Sequence, residues 1–336
     1  MGLNVFIIYY MRRTLVFLGL ILVMHIDSSG REISRDDFVP GVILDADIDS
    51  DVDDVEALAM LHKLADQKKV NFLGLIVTSD DLYAARCADA INSYFGRPDL
   101  PMGVLKGQKG LKNHSRYTRQ ISEEFPRKSK SAVKAEDATT LYRKLLSNSV
   151  DSSVIIVTIG HLTNLQNLLK SDGDSYSPLN GKELVKLKVK KWICMGGHYP
   201  EGKEANFYRP DPASTVYCVE QWAQPVIFAG WEVGQKITTG GTYLKSRVPN
   251  TSPVYRAYQL YNDFAGRASW DQIAVFLLRE DAGKYFQTVG GGYCKVYDDG
   301  SNRWLTARDS KHEYVELKPD ADLDEIAQAI DDMAVK

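Results

Sequence analysis

The sequence has few cysteines, and they lie far apart. It contains four in 336 residues and no Cys-x-x-Cys pair, at positions 87, 194, 218 and 294. This spacing argues against a zinc site and against a disulfide scaffold, both of which need cysteines in close sets. One or two disulfide bonds stay open, because the spacing alone does not decide them.

The sequence also has no concentrated positive charge, no internal repeat and no low-complexity linker. Its 41 basic and 44 acidic residues give a formal net charge of -3, with lysines and arginines scattered along the chain. A nucleic-acid partner or an anionic membrane surface favours a basic cluster, so we expect neither. Hydrophobic residues make up 44% of the chain, which is ordinary for a globular protein with a sizeable core.

A hydrophobic run long enough to cross a membrane is missing, although the first thirty residues differ from the rest. Arg12 and Arg13 precede an apolar run over residues 15–24, and small or polar residues follow it up to Gly30. This order is typical of a secretory signal peptide, and the run is too short for a membrane span. We therefore expect residues 1–30 to be a signal peptide and the mature protein to be exported without a membrane contact. An uncleaved membrane anchor is the alternative.

Beyond residue 40, short apolar runs alternate with segments of helical periodicity. Runs of this length predict parallel strands buried on both faces, at residues 42–44, 72–77, 154–159, 190–195 and 226–229. Helical spacing occurs between these runs, and residues 286–318 predict β-hairpins. The pattern is typical of a single α/β domain over residues 36–334, with a mainly parallel central sheet flanked by helices and a Rossmann-like core. Residues 106–134 lack periodicity and predict a surface loop.

An unusual density of carboxylates follows the first predicted strand. The segment contains six aspartates, at positions 45, 47, 49, 51, 53 and 54. Carboxylates this close repel one another unless a cation neutralises them, and their hard oxygens favour Ca²⁺ or Mg²⁺. Parallel sheets bind ligands at the carboxyl ends of their strands. We therefore expect the aspartates to meet the segments after residues 159 and 195 in one metal-containing site.

Two other kinds of site would also bring several aspartates together. Counted from Asp45 as a calcium-binding EF-hand loop, the acids fall at the ligand positions, but Ser50 stands where the sharp turn needs glycine. A Mg²⁺-dependent phosphatase of the haloacid dehalogenase type would use the strand-end pair Asp45 and Asp47, but it lacks a clear downstream lysine. A phosphatase and a non-catalytic calcium-binding module therefore remain as the alternatives.

Several short motifs in a fixed order resemble the inosine–uridine preferring nucleoside hydrolase family over residues 40–280. The aspartates resemble its N-terminal Asp-x-Asp…Asp-Asp signature, residues 73–81 its second strand and substrate loop, and residues 157–164 its Gly-x-Leu-Thr-Asn segment. The remaining motifs follow in the family's order: Met195-Gly-Gly197, Glu204-Ala-Asn206, Asp211-Pro212 and Trp270-Asp271. The resemblance implies the nucleoside hydrolase fold, an N-glycosidase that uses Ca²⁺, a small-molecule nucleoside substrate and a homo-oligomer, either dimer or tetramer.

The resemblance also implies roles for particular residues. Asp47 would be both the catalytic base and a metal ligand. The other ligands would be Asp54, Asp271 and the carbonyl of Ile159. The groups binding the substrate would be Asp81, Glu204 and Asn206 on the ribose and Trp270 on the base. Since Trp270 replaces a histidine of several members, stacking on a purine is expected, and the reaction would release free base and ribose. A related binding protein without catalysis is less favoured, because the metal ligands are all present.

The spacing of the aspartates leaves two alignments with the family open. Aligned on the strand, Asp45 and Asp47 form the first pair and the loop carries two extra residues. Aligned on Asp53 and Asp54, the first pair becomes Asp47 and Asp49. We favour the strand alignment, because a base at a strand end is held more rigidly than one in a loop. The acid that protonates the leaving base is also open, and His114 is a candidate.

Overall fold

The computed structural model describes residues 39–107, 114–125 and 135–336. Residues Val39–Lys336 form one compact unit. The predicted signal peptide over residues 1–30 lies outside the described residues, so export stays a prediction, as do the boundaries of the catalytic domain. Among the helices that the structure describes, none combines the length and the hydrophobicity needed to cross a bilayer.

Strands and helices alternate through most of the described chain. The strands are β1 (Gly41–Ala46), β2 (Asn71–Val77), β3 (Met102–Val104), β4 (Glu136–Asp137), β5 (Val154–Thr158), β6 (Val189–Met195), β7 (Glu201–Lys203), β8 (Val226–Ala229), β9 (Thr238–Thr239), β10 (Arg267–Ala268), β11 (Phe286–Val296), β12 (Ser301–Thr306) and β13 (His312–Leu317). The helices are α1 (Asp53–Asp66), α2 (Ala84–Tyr94), α3 (Thr118–Glu124), α4 (Ala138–Ser147), α5 (Thr163–Lys170), α6 (Gly181–Lys188), α7 (Ala205–Tyr208), α8 (Pro212–Gln221), α9 (Trp231–Gly234), α10 (Thr242–Arg247), α11 (Pro253–Asn262), α12 (Trp270–Phe276) and α13 (Leu323–Met333).

One large sheet organises the fold. Its eleven strands lie in the order β4-β3-β2-β1-β5-β6-β8-β13-β11-β12-β7. The first eight are parallel to their neighbours, and β11, β12 and β7 extend the sheet with antiparallel pairs. The predicted α/β class with a mainly parallel central sheet is therefore confirmed, and residues 286–318 form the antiparallel pairs β11–β12 and β11–β13.

The core has two layers because successive side chains of a strand point to opposite faces of the sheet. In β1, Val42 and Leu44 pack in one apolar cluster with helices α1, α2, α12 and α13. Ile43 packs in the other cluster with α4, α5, α6 and α8. All three side chains are completely buried. Helices on both faces explain why the parallel strands read as continuous apolar runs rather than as alternating ones.

Two helices begin at capping signals. Helix α8 begins at Pro212 because the Asp211 side chain accepts a hydrogen bond from the Ser214 N–H. Helix α6 was missed, although its start carries a recognisable signal. Asn180 caps the helix and Glu183 bonds back to the Asn180 N–H, which is a capping box.

The last helix is joined to the first by a buried pair of carboxyl groups. Asp331 of α13 lies against Glu56 of α1, and it also accepts a hydrogen bond from the Gly240 N–H at 3.0 Å. Tyr258 and Gln272 donate to the same Glu56 carboxylate. Burial and the Glu56 charge raise the pKa of Asp331 to about 9. Asp331 therefore keeps a proton in the folded protein that the unfolded chain has released above pH 4.

We expect the stability of Asp331→Asn to fall less steeply than that of wild type as pH rises from 6 to 9. Because the folded pKa of Asp331 is raised, its contribution is fully present below pH 4 and is lost as pH rises toward 9. One such proton changes the free energy of unfolding by up to about 1.4 kcal/mol per pH unit. Urea unfolding at pH 6, 7.5 and 9 measures the slope. Asp332→Asn is the control, since Asp332 pairs with Arg247 at the surface. Equal slopes for wild type and Asp331→Asn would contradict the prediction.

Candidate active site

A cavity of about 670 Å³ opens at the carboxyl ends of β1, β2, β5 and β6. This volume lies within the range of small-molecule sites in enzymes. Asp47 and Ile159 follow β1 and β5 and both line the cavity, with Met195 at the end of β6. The register places Asp45 beside Thr158, and Thr158 beside Cys194, so these strands end at one edge of the sheet. The three segments expected to converge are together.

The loop after β1 bends sharply to bring Asp47 into the cavity. The next residue, Ile48, has φ 43°, a left-handed conformation that costs a β-branched residue roughly 1–3 kcal/mol. The Ile48 side chain is completely buried, and this burial holds the bend. On the neighbouring strand end, a Cβ on Gly160 would lie 2.9 Å from the Asp47 nitrogen. Glycine at 160 therefore permits the close approach of the two strand ends.

Four carboxyl groups meet on the floor of the cavity, and we call them the acidic centre: Asp47, Asp53, Asp54 and Asp271. Asp53 and Asp54 stand in the first turn of α1, and Asp271 in the first turn of α12. Oxygens of these three lie within 4.8 Å of one another. Asp47 lies close enough to Asp54 for each carboxyl group to shift the pKa of the other.

The acidic centre has the properties of a site for a hard cation. Burial raises the pKa of all four carboxyl groups well above the usual range, and repulsion from neighbouring aspartates raises it further. The Oδ1 atom of Asp54 is buried and has no hydrogen-bond partner among the described residues. Buried polar atoms seldom lack a partner, so this oxygen is available as a ligand. An oxygen-only donor set fits Ca²⁺ or Mg²⁺.

The other predicted ligand and the ribose-binding pair lie beside this centre. The Ile159 carbonyl accepts a hydrogen bond at 3.2 Å from the Asn206 side chain. Glu204 is buried and accepts from the N–H groups of Gly197 and Asn206 at 3.1 and 2.8 Å. Burial raises the pKa of Glu204 to about 7, although these N–H groups act against it. Near neutral pH, Glu204 can therefore both donate and accept a hydrogen bond to a hydroxyl.

Three of the six aspartates in the segment of residues 45–54, namely Asp45, Asp49 and Asp51, are each bound by a side chain from outside the acidic centre. Asp45 lies at the end of β1 and accepts from Tyr142 at 2.8 Å, and burial raises its pKa to about 7. Asp51 forms an ion pair with Arg267, with Nε 2.9 Å from Oδ2. Asp49 lines the cavity but accepts a hydrogen bond at 2.6 Å from the Ser79 hydroxyl. Other side chains therefore engage these three aspartates, and the remaining three of the segment, Asp47, Asp53 and Asp54, belong to the acidic centre.

The structure does not bring Asp81 to the cavity. Its carboxylate accepts hydrogen bonds from the N–H groups of Tyr83, His114 and Ser115 and from the Thr118 hydroxyl. These bonds attach the segment before α3 to the end of β2. The preceding residue, Asp80, lines the cavity instead. Because four donors already engage its carboxylate, this geometry favours a structural role for Asp81, and its ribose contact stays a prediction.

Aromatic and basic side chains form another part of the cavity wall. Trp270 lines the cavity, and its indole N–H donates to the Trp231 carbonyl at 3.1 Å. The Arg267 guanidinium lies 4.7 Å from the centroid of a Trp270 ring. Trp231 also lines the cavity and is 38% exposed. The wall can stack a flat aromatic ligand.

His114 lines the cavity near its mouth. Its Nε2 lies 2.8 Å from Oδ1 of Asp80. Partial burial lowers the pKa of His114, while the Asp80 and Asp49 carboxylates raise it, and the net shift is upward. The imidazole is therefore held closer to its charged form than a free histidine is.

Among the cavity residues to which sequence reasoning assigned no role are Asp53, Asp80, Trp231 and Arg267. A signal existed for Asp53, since it precedes Asp54 in the same helical turn. Asp80 could have been chosen over Asp81, because one residue decides which side chain follows the strand into the cavity. Trp231 and Arg267 carried no signal, since only the tertiary fold places them beside Trp270.

Comparisons with known proteins were made on sequence and on structure. The family model for inosine-uridine preferring nucleoside hydrolase matches residues 42–321. No curated protein matches in the sequence comparison.

Three solved structures share the fold. A plant nucleoside hydrolase is 18% identical with a TM-score of 0.65, over 88% of this chain and 99% of that one. The inosine-uridine preferring nucleoside hydrolase from Bacillus anthracis is 16% identical with a TM-score of 0.64, over 88% and 99%. An inosine-guanosine nucleoside hydrolase is 16% identical with a TM-score of 0.66, over 87% and 98%. At these identities the likeness concerns the fold.

Proposed function

Because the chain belongs to the inosine-uridine preferring nucleoside hydrolase family, whose members are N-glycosidases, we propose that it hydrolyses purine ribonucleosides with the help of bound Ca²⁺. Family membership makes the protein an enzyme acting on the N-glycosidic bond of nucleosides. The observation that carries the proposal further is the acidic centre, with its buried and unpartnered Asp54 oxygen, at the carboxyl edge of the sheet. This edge is where parallel sheets bind their substrates.

The residues that would hold the ion are Asp47, Asp54, Asp271 and the Ile159 carbonyl. Asp53 completes the negative charge around them and accepts a hydrogen bond from the Asp271 N–H at 3.3 Å, which fixes the start of α12. When bound, Ca²⁺ would hold ribose hydroxyls and a water molecule and lower the pKa of that water.

Asp47 would take the proton of the attacking water as general base. Asp47 lines the cavity beside Asp54, and as a ligand of the ion it would be held as a charged carboxylate that can accept the proton of the bound water. Positive charge develops on the ribosyl carbon as the glycosidic bond breaks, and the surrounding carboxylates stabilise it electrostatically. Glu204 and Asn206 would bind the ribose hydroxyls.

The leaving base would lie against Trp270, with Trp231 extending the aromatic wall. A purine offers more stacking area than a pyrimidine, so two tryptophans favour a purine nucleoside. The charged His114, held by Asp80, would donate a proton to the base as it leaves.

The proposed function is tested by release of free ribose. Purified protein is incubated with inosine, guanosine, adenosine or uridine, with Ca²⁺ or with EDTA. We expect ribose from the purine nucleosides with Ca²⁺ and none with EDTA. The absence of ribose from every nucleoside with Ca²⁺ present would overturn the proposal. Phosphate release from a phosphomonoester with Mg²⁺ would instead favour the phosphatase, and calcium binding without any turnover would favour the calcium module.

We expect His114→Ala to lower kcat/KM for inosine by about 10²-fold but to leave a substrate with a good leaving group almost unchanged. General acid catalysis contributes about this factor only when the leaving group needs a proton. The p-nitrophenyl riboside provides the comparison, because its phenolate leaves without protonation. Above the raised pKa of His114 the wild-type rate on inosine falls, and the variant lacks this alkaline limb. A similar loss on both substrates would assign His114 to binding rather than to proton transfer.

A further inference from the structure

The segment that carries Glu204 and Asn206 is held from outside the cavity. We call residues 197–208 the substrate loop and residues 300–304 the clasp. The clasp comprises the turn before β12 and the first residues of that strand, which belongs to the antiparallel extension. Within the substrate loop, β7 pairs with β12 through Lys203 beside Ser301 and Glu201 beside Arg303. The loop is therefore an edge strand of the sheet just before it enters the site.

Asn302 of the clasp pairs with the substrate loop through its side chain. The His198 N–H donates to Asn302 Oδ1 at 2.9 Å, and Asn302 Nδ2 donates to the His198 carbonyl at 3.0 Å. The amide thus satisfies both polar groups of one residue's backbone, as a neighbouring strand would do. Asn302 is 2% exposed and does not line the cavity. Among the described residues, the Asn302 side chain has no hydrogen-bond partner other than His198.

Close packing reinforces these two bonds. A Cβ on Gly202, which lies opposite Asn302, would come within 2.4 Å of the His198 ring. Gly300 has φ 77°, and a Cβ there would lie 2.3 Å from the Tyr208 Cα. The Trp304 N–H also donates to the Pro200 carbonyl at 2.7 Å. The clasp therefore contacts the substrate loop at its start, middle and end.

His198 is connected to the residues of the cavity in two ways. Gly197 precedes it and donates its N–H to Glu204, and the Gly197 carbonyl accepts from the Trp231 N–H at 2.9 Å. The His198 ring packs against the indole of Trp231, with 5.1 Å between ring centroids. Moving His198 would therefore move the carboxylate of Glu204 and one wall of the cavity together.

We infer that Asn302 is a positioning residue for nucleoside hydrolysis, acting through His198 on Glu204 and Asn206. The inference rests on the proposed function, because it gives the two loop residues their ribose contacts. A displacement of about 1 Å at a reacting site costs up to 10²-fold in rate. Asn302 thus affects catalysis through the positions of Glu204 and Asn206, although it touches no substrate.

The test compares Asn302→Ala with Arg303→Ala. Arg303 follows Asn302 on β12, and its exposed ion pair with Glu201 can be lost without touching His198. We expect Asn302→Ala to raise KM for inosine at least 5-fold and to lower kcat/KM 10- to 100-fold, with Ca²⁺ affinity by calorimetry unchanged within 2-fold. Arg303→Ala should stay within 2-fold on every measure. In a Glu204→Gln background, Asn302→Ala should add less than 3-fold, since the carboxylate that Asn302 positions is already altered.

Hydrogen exchange provides a readout that does not need turnover. The amides of Gly197 and Asn206 donate to Glu204, so we expect them to exchange at least 10-fold faster in Asn302→Ala and at the wild-type rate in Arg303→Ala. Unchanged exchange, or full additivity with Glu204→Gln, would overturn the inference. If wild type releases no ribose, the proposed function fails and this role falls with it, whatever the exchange shows. Should Asn302→Ala not fold, Asn302→Asp, which keeps the size and the Oδ1 acceptor, takes its place in every comparison.

Discussion

Replacement of Asp47 by asparagine is expected to lower kcat for inosine by at least about 10³-fold while the protein still folds. The amide has the size of the carboxylate but cannot accept the proton of the attacking water, and general base catalysis alone contributes up to about 10⁴-fold. It also offers the metal a neutral oxygen in place of a charged one. Single-turnover kinetics at saturating inosine and Ca²⁺ measure the effect on the chemical step. Circular dichroism and thermal unfolding verify the fold.

The stability of the same variant distinguishes a catalytic loss from a structural one. In the metal-free protein, Asp47 is half-buried beside the buried carboxyl groups of Asp53, Asp54 and Asp271, and the negative charges of the four groups repel. Asparagine removes one of these charges, so metal-free Asp47→Asn should unfold at a temperature no lower than wild type at pH 8. A loss of activity accompanied by a large loss of stability would indicate that Asp47 has a structural role instead.

Two neighbouring aspartates serve as controls and decide between the two alignments. Asp45 accepts from Tyr142 and Asn164 outside the cavity, so Asp45→Asn should keep activity within about 10-fold. Asp49 lines the cavity but is engaged by Ser79, so Asp49→Asn should also lose less than about 10-fold. A loss of 10³-fold in Asp49→Asn, with Asp47→Asn still active, would transfer the role of base to Asp49.

The fold was predictable because its signal is local. Apolar runs of five or six residues, such as 154–159, predict buried parallel strands without knowledge of their partners. The convergence of segments at one sheet edge then follows from the topology of parallel sheets. Helix α6 also has a local signal, its capping box, and could have been predicted from Asn180 and Glu183. The family resemblance, carried by the order of the motifs, is confirmed by the match over residues 42–321.

The different roles of the aspartates could not be predicted, because each role depends on a partner far away in the sequence. Asp51 is neutralised by Arg267, which lies 216 residues further along the chain. Asp45 is held by Tyr142 of α4, which packs on the face of the sheet away from α1. Nothing in the spacing of the aspartates reveals these contacts. The surroundings of Asp81 depend on the tertiary fold in the same way, since one residue after a strand decides whether a side chain lines the cavity, as Asp80 does, or binds the loop beside it, as Asp81 does.

Removal of the metal is expected to abolish ribose release and to lower the melting temperature by at least about 5 °C at pH 8, but hardly at all at pH 5. The sign follows from the raised pKa of Asp47, Asp53, Asp54 and Asp271. At low pH, protons neutralise the acidic centre and compete with the metal. As pH rises, the protons leave, the metal-free protein loses stability through repulsion, and metal affinity increases. A cation at 100 times its dissociation constant adds about 2.7 kcal/mol to the free energy of unfolding.

Thermal unfolding with Ca²⁺ and with EDTA, at pH 5 and pH 8, measures this difference. Asp54→Asn is the matched control, because it removes the carboxylate whose buried oxygen has no partner and keeps the size of the side chain. Its melting temperature should respond to Ca²⁺ by less than half as much as that of wild type, and its ribose release should fall with it. Equal melting temperatures for wild type with and without EDTA at pH 8 would contradict a metal in the acidic centre. The opposite order, a larger effect of EDTA at pH 5, would show that protons and metal do not compete for these four carboxylates.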